Sequence, residues 1–284
     1  MDTTVETADR SIGAILVDDG RLTLKNAERI IRLQKTENLR FGEAGIKLGL
    51  LSDGDIQFAL AKQYDYPYLV GRNGEVSETL IAAYNPFSKR VEALRAMRSQ
   101  LMLRKFTGES RTKALAVVSP ARGEGRSFVA ANLAIVFSQL GERTLLIDAD
   151  MRNPSQHELF RLDGRNGLSS ILAGRSDRTA VERVPGFVDL SVLAAGPIPP
   201  NPQELLGRPV FADLLKELDS EYDVILIDTP SVADFADAHL VSARAGAAVA
   251  IARKHFTRIE QVRRHTEIMN RAGVKVVGTV LNEF

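Results

Sequence analysis

Residues Ser119 to Ser127 read Ser-Pro-Ala-Arg-Gly-Glu-Gly-Arg-Ser, the composition of a loop that holds phosphate. Backbone recognition of phosphate needs N–H groups that converge on its oxygens. That favours residues without a Cβ, here Gly123 and Gly125, and a helix N-terminus facing the anion. In such loops a lysine adds a point charge and the next hydroxyl a ligand for Mg2+. Here Arg126 stands at the lysine position, Ser127 supplies the hydroxyl, and Pro120 replaces the first glycine of the usual pattern. Two more segments, Leu145-Leu-Ile-Asp148-Ala-Asp150 and Tyr222-Asp-Val-Ile-Leu-Ile-Asp228, end apolar runs in carboxylates. Carboxylates beside a phosphate loop can hold Mg2+, directly or through water, and can accept a proton from an attacking hydroxyl. One such aspartate alone would equally serve as a helix cap, but three beside one loop point to nucleotide chemistry. Arg122 and Arg152 are either phosphate contacts or surface charge.

The elements that must position these groups follow from short apolar runs. Residues 114–118, 144–147, 224–227, 247–251 and 274–277 read as strands buried on both faces, with a weaker one at 190–193. Helical patterns separate most of them. One helix is expected at 128–140, containing Asn132, and an amphipathic one at 91–106. The fold class expected is α/β: a doubly wound, mostly parallel sheet forming a P-loop domain, with ligands at the C-terminal strand ends. A small, mainly helical N-terminal domain precedes it. The boundaries expected are 1–72 for the helical domain, 73–88 for a linker containing Asn85-Pro86, and 89–284 for the P-loop domain.

The chain has 284 residues, about two domains at roughly 150 residues each. Its 37 Lys+Arg against 36 Asp+Glu leave no global basic field, so no nucleic-acid partner is expected. The absence of cysteine excludes disulfides, thiolate zinc sites and a cysteine nucleophile. Residues 1–10 are polar and no apolar run approaches membrane-spanning length, so the expected location is cytoplasmic.

The N-terminal region is an internal repeat. A shift of 29 residues lays Ile12-Gly13, Gly20, Leu22, Ile31 and Gln34 onto Phe41-Gly42, Gly49, Leu51, Leu60 and Gln63. Each copy reads as a short helix ending at a glycine, an N-cap (Thr23, Ser52) and a second helix. Apolar residues at helical spacing in the second helices are Ala27, Ile30, Ile31 and Ile56, Ala59, Leu60.

On the three motifs, residues 88–284 resemble the bacterial protein-tyrosine autokinases of capsule and exopolysaccharide synthesis, closest to the EpsG-type chain-length determinants. Glu92, Arg95 and Arg98 match that family's ExxRxxR oligomerisation motif, and Ala195-Gly-Pro-Ile-Pro-Pro-Asn-Pro-Gln-Glu-Leu-Leu206, Asp237 and Gly278-Thr-Val-Leu-Asn282 also fit. By spacing alone, Glu92 and Arg95 are simply an i, i+3 pair on a solvated helix face. The resemblance implies ATP and Mg2+ as cofactors, with Gly123, Glu124, Gly125, Arg126, Ser127, Phe128 and Asn282 binding nucleotide. It also implies Ser127, Asp148 and Asp228 at the metal and Asp148, Asp150 and Arg126 in catalysis. A homo-oligomer and a membrane chain-length determinant (polysaccharide co-polymerase) as partner follow from it as well. Two departures stand out. Arg126 places its charge differently from lysine, and the tyrosines are Tyr64, Tyr66, Tyr68, Tyr84 and Tyr222, without a tyrosine-rich tail before Phe284. The first three are expected to be packing residues.

The repeat resembles the N-terminal domain of type II secretion and pilus-assembly ATPases in its cyclic di-GMP-binding version. That version has two 24-residue motifs separated by five residues, and residues 11–34, 35–39 and 40–63 fit this frame. The resemblance implies Arg10, Gly13, Gly20, Arg40, Gly42 and Gly49 as cyclic di-GMP contacts. Helical hairpins need C-cap glycines and core leucines in any case, so a docking module remains the alternative, and Ser11 stands where the first motif has arginine. Three functions are thus in view: a tyrosine autokinase, an ATP-binding regulatory switch without kinase activity, and a partitioning-type ATPase. Against the last stands Ala121, where such proteins carry a second lysine.

Overall fold

The structure, a computed structural model, describes residues 10–64, 66–69, 74–106 and 112–283. The polar start at 1–9 and the terminal Phe284 lie outside them. Two compact units result, residues 1–70 and 71–284.

The first unit holds four helices, α1 (Ile12–Asp18), α2 (Leu24–Glu37), α3 (Phe41–Lys47) and α4 (Asp53–Gln63). Both α3 and α4 begin 29 residues after their counterparts α1 and α2. Thr23 and Ser52 cap α2 and α4, their hydroxyls accepting from the N–H groups of Asn26 and Asp55. Gly20 and Gly49 adopt φ of +74° and +64° after the short helices, a conformation costly for any residue with a Cβ. Ile15, Leu16, Leu22, Ile30, Ala44, Leu51 and Phe58 form the core. Where the first copy has Leu16 the second has Gly45, and Leu51 fills the space, 2.5 Å from where a Cβ would sit. Ile31, expected inward, is 41 % exposed.

The second unit opens with α5 (Ile81–Tyr84) and α6 (Lys89–Leu101), which continues as a wider π-type turn over Met102–Phe106. Then follow β1 (Ala114–Val118), α7 (Arg126–Ser138), β2 (Thr144–Asp148), α8 (Gln156–Phe160), α9 (Leu168–Leu172), β3 (Val181–Arg183), β4 (Leu190–Leu193), α10 (Pro202–Gly207), α11 (Pro209–Glu221), β5 (Val224–Asp228), α12 (Asp237–Ala245), β6 (Ala247–Arg253), α13 (Ile259–Arg271) and β7 (Lys275–Asn282). The sheet order is β3-β4-β2-β5-β1-β6-β7. Every neighbouring pair is parallel except β3–β4. The α/β, mostly parallel architecture expected from the alternating pattern is therefore present. Register places Asp148 directly beside Asp228 at the C-terminal ends of β2 and β5.

Two features depart from the expectation. The antiparallel edge strand β3 carries Val181-Glu-Arg183, which has no apolar run to announce it. The segment expected as linker, 73–88, is in its described part built into the second unit. α7 is apolar nearly all round and buried, yet it carries Asn132 and is followed by Gln139 as its C-cap. Asn132 Oδ1 accepts from the Ala82 N–H at 2.9 Å, and Gln139 Nε2 donates to the Ala82 carbonyl at 3.0 Å. These two side chains satisfy backbone groups of a helix too short to satisfy its own. Asn132→Ala should leave the Ala82 N–H buried and unpaired, costing about 1–3 kcal/mol. A urea titration of the full chain reads this, and an unchanged midpoint would count against the docking role.

On the other face, His239 of α12 and His265 of α13 face each other with ring centroids 6.1 Å apart. Nε2 of His239 and Nδ1 of His265 are buried without a hydrogen bond. Burial pushes both imidazole pKa values down, and for His265 the neighbouring His239 and Arg264 add to this. The unfolded chain therefore binds more protons, so the stability these neutral rings contribute is present above about pH 6.5 and is lost as pH falls through their lowered values. Thermal melts at pH 7.5 and 5 should differ less for His239→Gln/His265→Gln than for wild type. An equal difference would refute the assignment.

Candidate nucleotide-binding site

The loop between β1 and α7 ends in Gly125, which caps α7 at φ +83°, and Gly123 lies at φ +76°. An added Cβ at Gly123 would meet no atom within 4 Å, so the backbone there is open to a ligand. The loop is braced from the ends of the neighbouring strands β6 and β7. Glu124 is buried, its Oε2 accepting from the Ala121 N–H at 2.7 Å and its Oε1 from the Thr257 hydroxyl. Arg253 Nη1 donates to the Gly123 carbonyl at 3.2 Å, and Asn282 Nδ2 to the Glu124 carbonyl at 3.1 Å. The side chain of Glu124, expected to bind nucleotide, thus holds the loop's shape. Phe128, Asn282 and Gly125 line an apolar groove of about 580 Å³, together with Leu94 and Met97 of α6 and Leu281 of β7.

The three aspartates gather at the strand ends as expected, but their oxygens are not equally available. Asp148 is fully buried. Its Oδ2 accepts from the N–H groups of Ser155 and Gln156, and its Oδ1 from that of Asp150. Burial, followed by repulsion from Asp228, pushes its pKa up to about 8. Asp150 Oδ1 accepts from the N–H groups of Arg152 and Asn153, and burial raises the pKa of this carboxyl too. Asp228 Oδ2 accepts from Gln156 Nε2 at 2.8 Å. The cluster's remaining oxygens are Asp150 Oδ2 and Asp228 Oδ1, and Arg126 lies against both. Its Nη2 is 3.4 Å from Asp150 Oδ2, its Nε 3.3 Å from Asp228 Oδ1, and its Nη1 donates to Ser119 Oγ at 2.7 Å.

Ser127 sits half-buried in the first turn of α7. Among the described residues no three acidic or histidine side chains converge in the manner of a protein-only metal cage. Mg2+ at a nucleotide site uses one or two carboxylates, phosphate oxygens and water. Ser127 with the buried Asp228 Oδ1, which lacks a hydrogen bond, fits such a role. Asp148, expected at the metal, has both oxygens committed to backbone N–H groups and shapes the loop after β2.

The two arginines left open resolve into protein contacts. Arg122 donates to Asn153 Oδ1 at 2.7 Å. Arg152 pairs with buried Asp237, its Nε 2.8 Å from Oδ2, and stacks on Phe235. Of the oligomerisation residues, Glu92 and Arg95 pair at 3.1 Å on α6, whereas Arg98 Nη1 turns inward to the Val136 carbonyl in the last turn of α7. Ser119, Gln156, Arg253 and Thr257 were not foreseen. Ser119 alone had a signal, its place in the loop.

In the first unit Arg10, Gly13, Arg40 and Gly42, expected at cyclic di-GMP, have protein neighbours of their own. Gly13 lies against the Phe41 ring and Gly42 against Ile56, where a Cβ would come within 2.9 and 2.8 Å. Arg10 pairs with Asp18, and Arg40 is the N-cap of α3. Only Gly13 among them lines the groove of about 730 Å³ along α1 and α2.

A parallel sheet with a glycine loop and aspartates at its strand ends defines a P-loop nucleotide-binding protein. The sequence profile of the ParA family, described as NUBPL iron-transfer P-loop NTPase, matches residues 110–283. The chain is 36 % identical over 205 residues to tyrosine-protein kinase wzc of Salmonella typhimurium, covering 72 % of this chain and 28 % of that one. It is 34 % identical over 212 residues to tyrosine-protein kinase YwqD of Bacillus subtilis, covering 74 % of this chain and 88 % of the relative. Among solved structures, the kinase domain of Escherichia coli tyrosine kinase ETK matches with a TM-score of 0.69 at 30 % identity, covering 75 % of this chain and 82 % of that one. The chain belongs to the ParA-like P-loop NTPases and, among them, to the bacterial tyrosine-protein kinases. It spans little more than a quarter of the length of wzc. No described helix is long and apolar enough to cross a membrane.

Proposed function

We propose that this chain is an ATP- and Mg2+-dependent protein-tyrosine autokinase acting in exopolysaccharide chain-length control and export. The observation that carries this reading is the glycine loop at the start of α7 facing Asp150 Oδ2 and Asp228 Oδ1, which among the described residues only Arg126 approaches. The backbone N–H groups of residues 123–127 and the α7 dipole cradle the phosphates. Ser127 and Asp228 hold Mg2+, which when bound neutralises charge on the phosphate oxygens. Asp150 accepts the tyrosyl proton, a role favoured by the raised proton affinity that burial gives it. The groove bearing Phe128 and Asn282 takes the base.

The acceptor proposed is Tyr64. At 77 % exposure it follows α4 into solvent, contrary to the packing role expected for it, whereas Tyr84 donates its hydroxyl to the Val76 carbonyl and Tyr66, Tyr68 and Tyr222 are half-buried. Phosphotyrosine mass spectrometry after incubation with Mg-ATP tests both points. Phosphate on Tyr64, lost in Tyr64→Phe, is expected. ATP binding without any phosphotyrosine would favour the second reading, a nucleotide-gated switch, for which the burial of Arg126 among the carboxylates speaks.

The wider assignments belong to the same proposal. They are a homo-oligomer through the α6 face bearing Glu92 and Arg95, a membrane chain-length determinant as partner, and a place on the cytoplasmic side of the membrane. Control by cyclic di-GMP at the first unit rests on the repeat frame and its groove. Calorimetry with cyclic di-GMP tests it, and no heat of binding would refute it.

A further inference from the structure

We infer that Arg126 is a built-in cation of the metal site, holding Asp150 and Asp228 and releasing them only to a metal that arrives with phosphates. The inference rests on the nucleotide-binding reading above and extends it to the order in which ligands enter.

Eight donor groups of the described residues face the three buried aspartates once the two Arg126 nitrogens are included, and their distribution is uneven. Six backbone or side-chain N–H groups, from Asp150, Ser155, Gln156 (two), Arg152 and Asn153, account for Asp148, Asp150 Oδ1 and Asp228 Oδ2. The two oxygens left over are those the guanidinium spans. A buried carboxylate without a partner is strongly destabilising, so a cation must face this pair whenever no other charge does. A lysine ammonium carries its three donors on one nitrogen and so must sit within about 3 Å of every acceptor at once, which oxygens spread along a side chain do not allow. The planar guanidinium, with donors on three nitrogens, can meet them.

The grip is also loose enough to be released. Charge-assisted N–H···O bonds run about 2.7–2.9 Å. Only the contact to Ser119 Oγ, 2.7 Å, is that short, while those to the carboxylates are 3.3 and 3.4 Å. Arg126 Nε and Asp228 Oδ1 face one another without hydrogen-bond alignment. A phosphate arriving at the loop offers the guanidinium a bidentate partner one residue from its own backbone N–H, and its departure frees Asp228 Oδ1 for the metal. A divalent ion without nucleotide must instead displace a cation that has nowhere to go.

The test is Mn2+ binding, followed by the loss of the free-ion EPR signal, to the full chain with and without ADP, beside fluorescent-nucleotide binding in EDTA. Wild type is expected to bind Mn2+ weakly alone. Arg126→Gln, shorter and uncharged, should bind it at least tenfold more tightly without nucleotide. Arg126→Lys keeps a charge near the carboxylates and guards against a folding failure of the glutamine variant; it should fall between the two. Equal nucleotide-free Mn2+ affinity in wild type and in a folded variant, with nucleotide binding intact, overturns this inference alone. Failure of wild type to bind nucleotide overturns the reading beneath it as well.

Discussion

Asp150→Ala is expected to lower phosphotyrosine formation from Mg-ATP by about 10²–10⁴-fold, the range for loss of a positioned general base, while nucleotide binding is retained. The carboxylate lies two residues beyond β2 with Oδ1 fixed by the N–H groups of Arg152 and Asn153, which leaves Oδ2 facing Arg126 of the phosphate loop. Removing it takes away the proton acceptor and one of the two carboxylates facing Arg126. Asp228 and Ser119 still hold the guanidinium, so the loop keeps its shape. Quantitative phosphotyrosine blotting against fluorescent-nucleotide titration separates the two effects. Undiminished phosphorylation in the variant would remove Asp150 from the chemistry.

The largest stability effect is expected at Gly167, just before α9. A Cβ there would lie 2.2 Å from the Ala194 carbonyl oxygen and 2.4 Å from the Gly196 nitrogen, both backbone atoms that cannot turn aside. Relief would require separating α9 from the chain leaving β4, breaking the Leu168 N–H to Ala194 and Ser169 N–H to Ala195 hydrogen bonds at 2.8 and 2.9 Å. Gly167→Ala should therefore cost about 3 kcal/mol or more, a fall of roughly 6–12 °C in the melting temperature for a unit of this size. Gly207, with no atom within 4 Å of an added Cβ, serves as control, and Gly207→Ala should shift stability by less than about 1 kcal/mol. Equal melting temperatures for the two variants would show that the β4 chain yields more readily than its hydrogen bonds suggest.

Much of the architecture follows from patterns a few residues long. Runs such as Leu145-Leu-Ile-Asp148 and Val224-Ile-Leu-Ile-Asp228 are strands because both faces are apolar, and the aspartate ends each at the C-terminal edge of the sheet. The glycine loop is readable because glycine takes the positive φ at positions 123 and 125 without the cost a Cβ brings. The N-terminal repeat is readable because caps and C-terminal glycines recur 29 residues apart, and each is a local device.

Tertiary structure decided what those residues do. Whether residues 73–88 were a linker depended on Asn132, fifty residues from the Ala82 N–H that it accepts. Glu124 could be assigned to the ligand or to the loop only once Thr257, 133 residues away, was seen to face it. Tyr64 has the composition of a core residue, yet the end of α4 directs it outward. The oxygens of three chemically identical aspartates became inequivalent because β2 and β5 are neighbours and the chain after β2 folds its N–H groups back onto Asp148 and Asp150. Arg126 then meets the two oxygens that remain. Local periodicity selects elements through steric and hydrophobic preferences of adjacent residues; strand order, which brings distant side chains within hydrogen-bond range, is set by packing of the whole sheet.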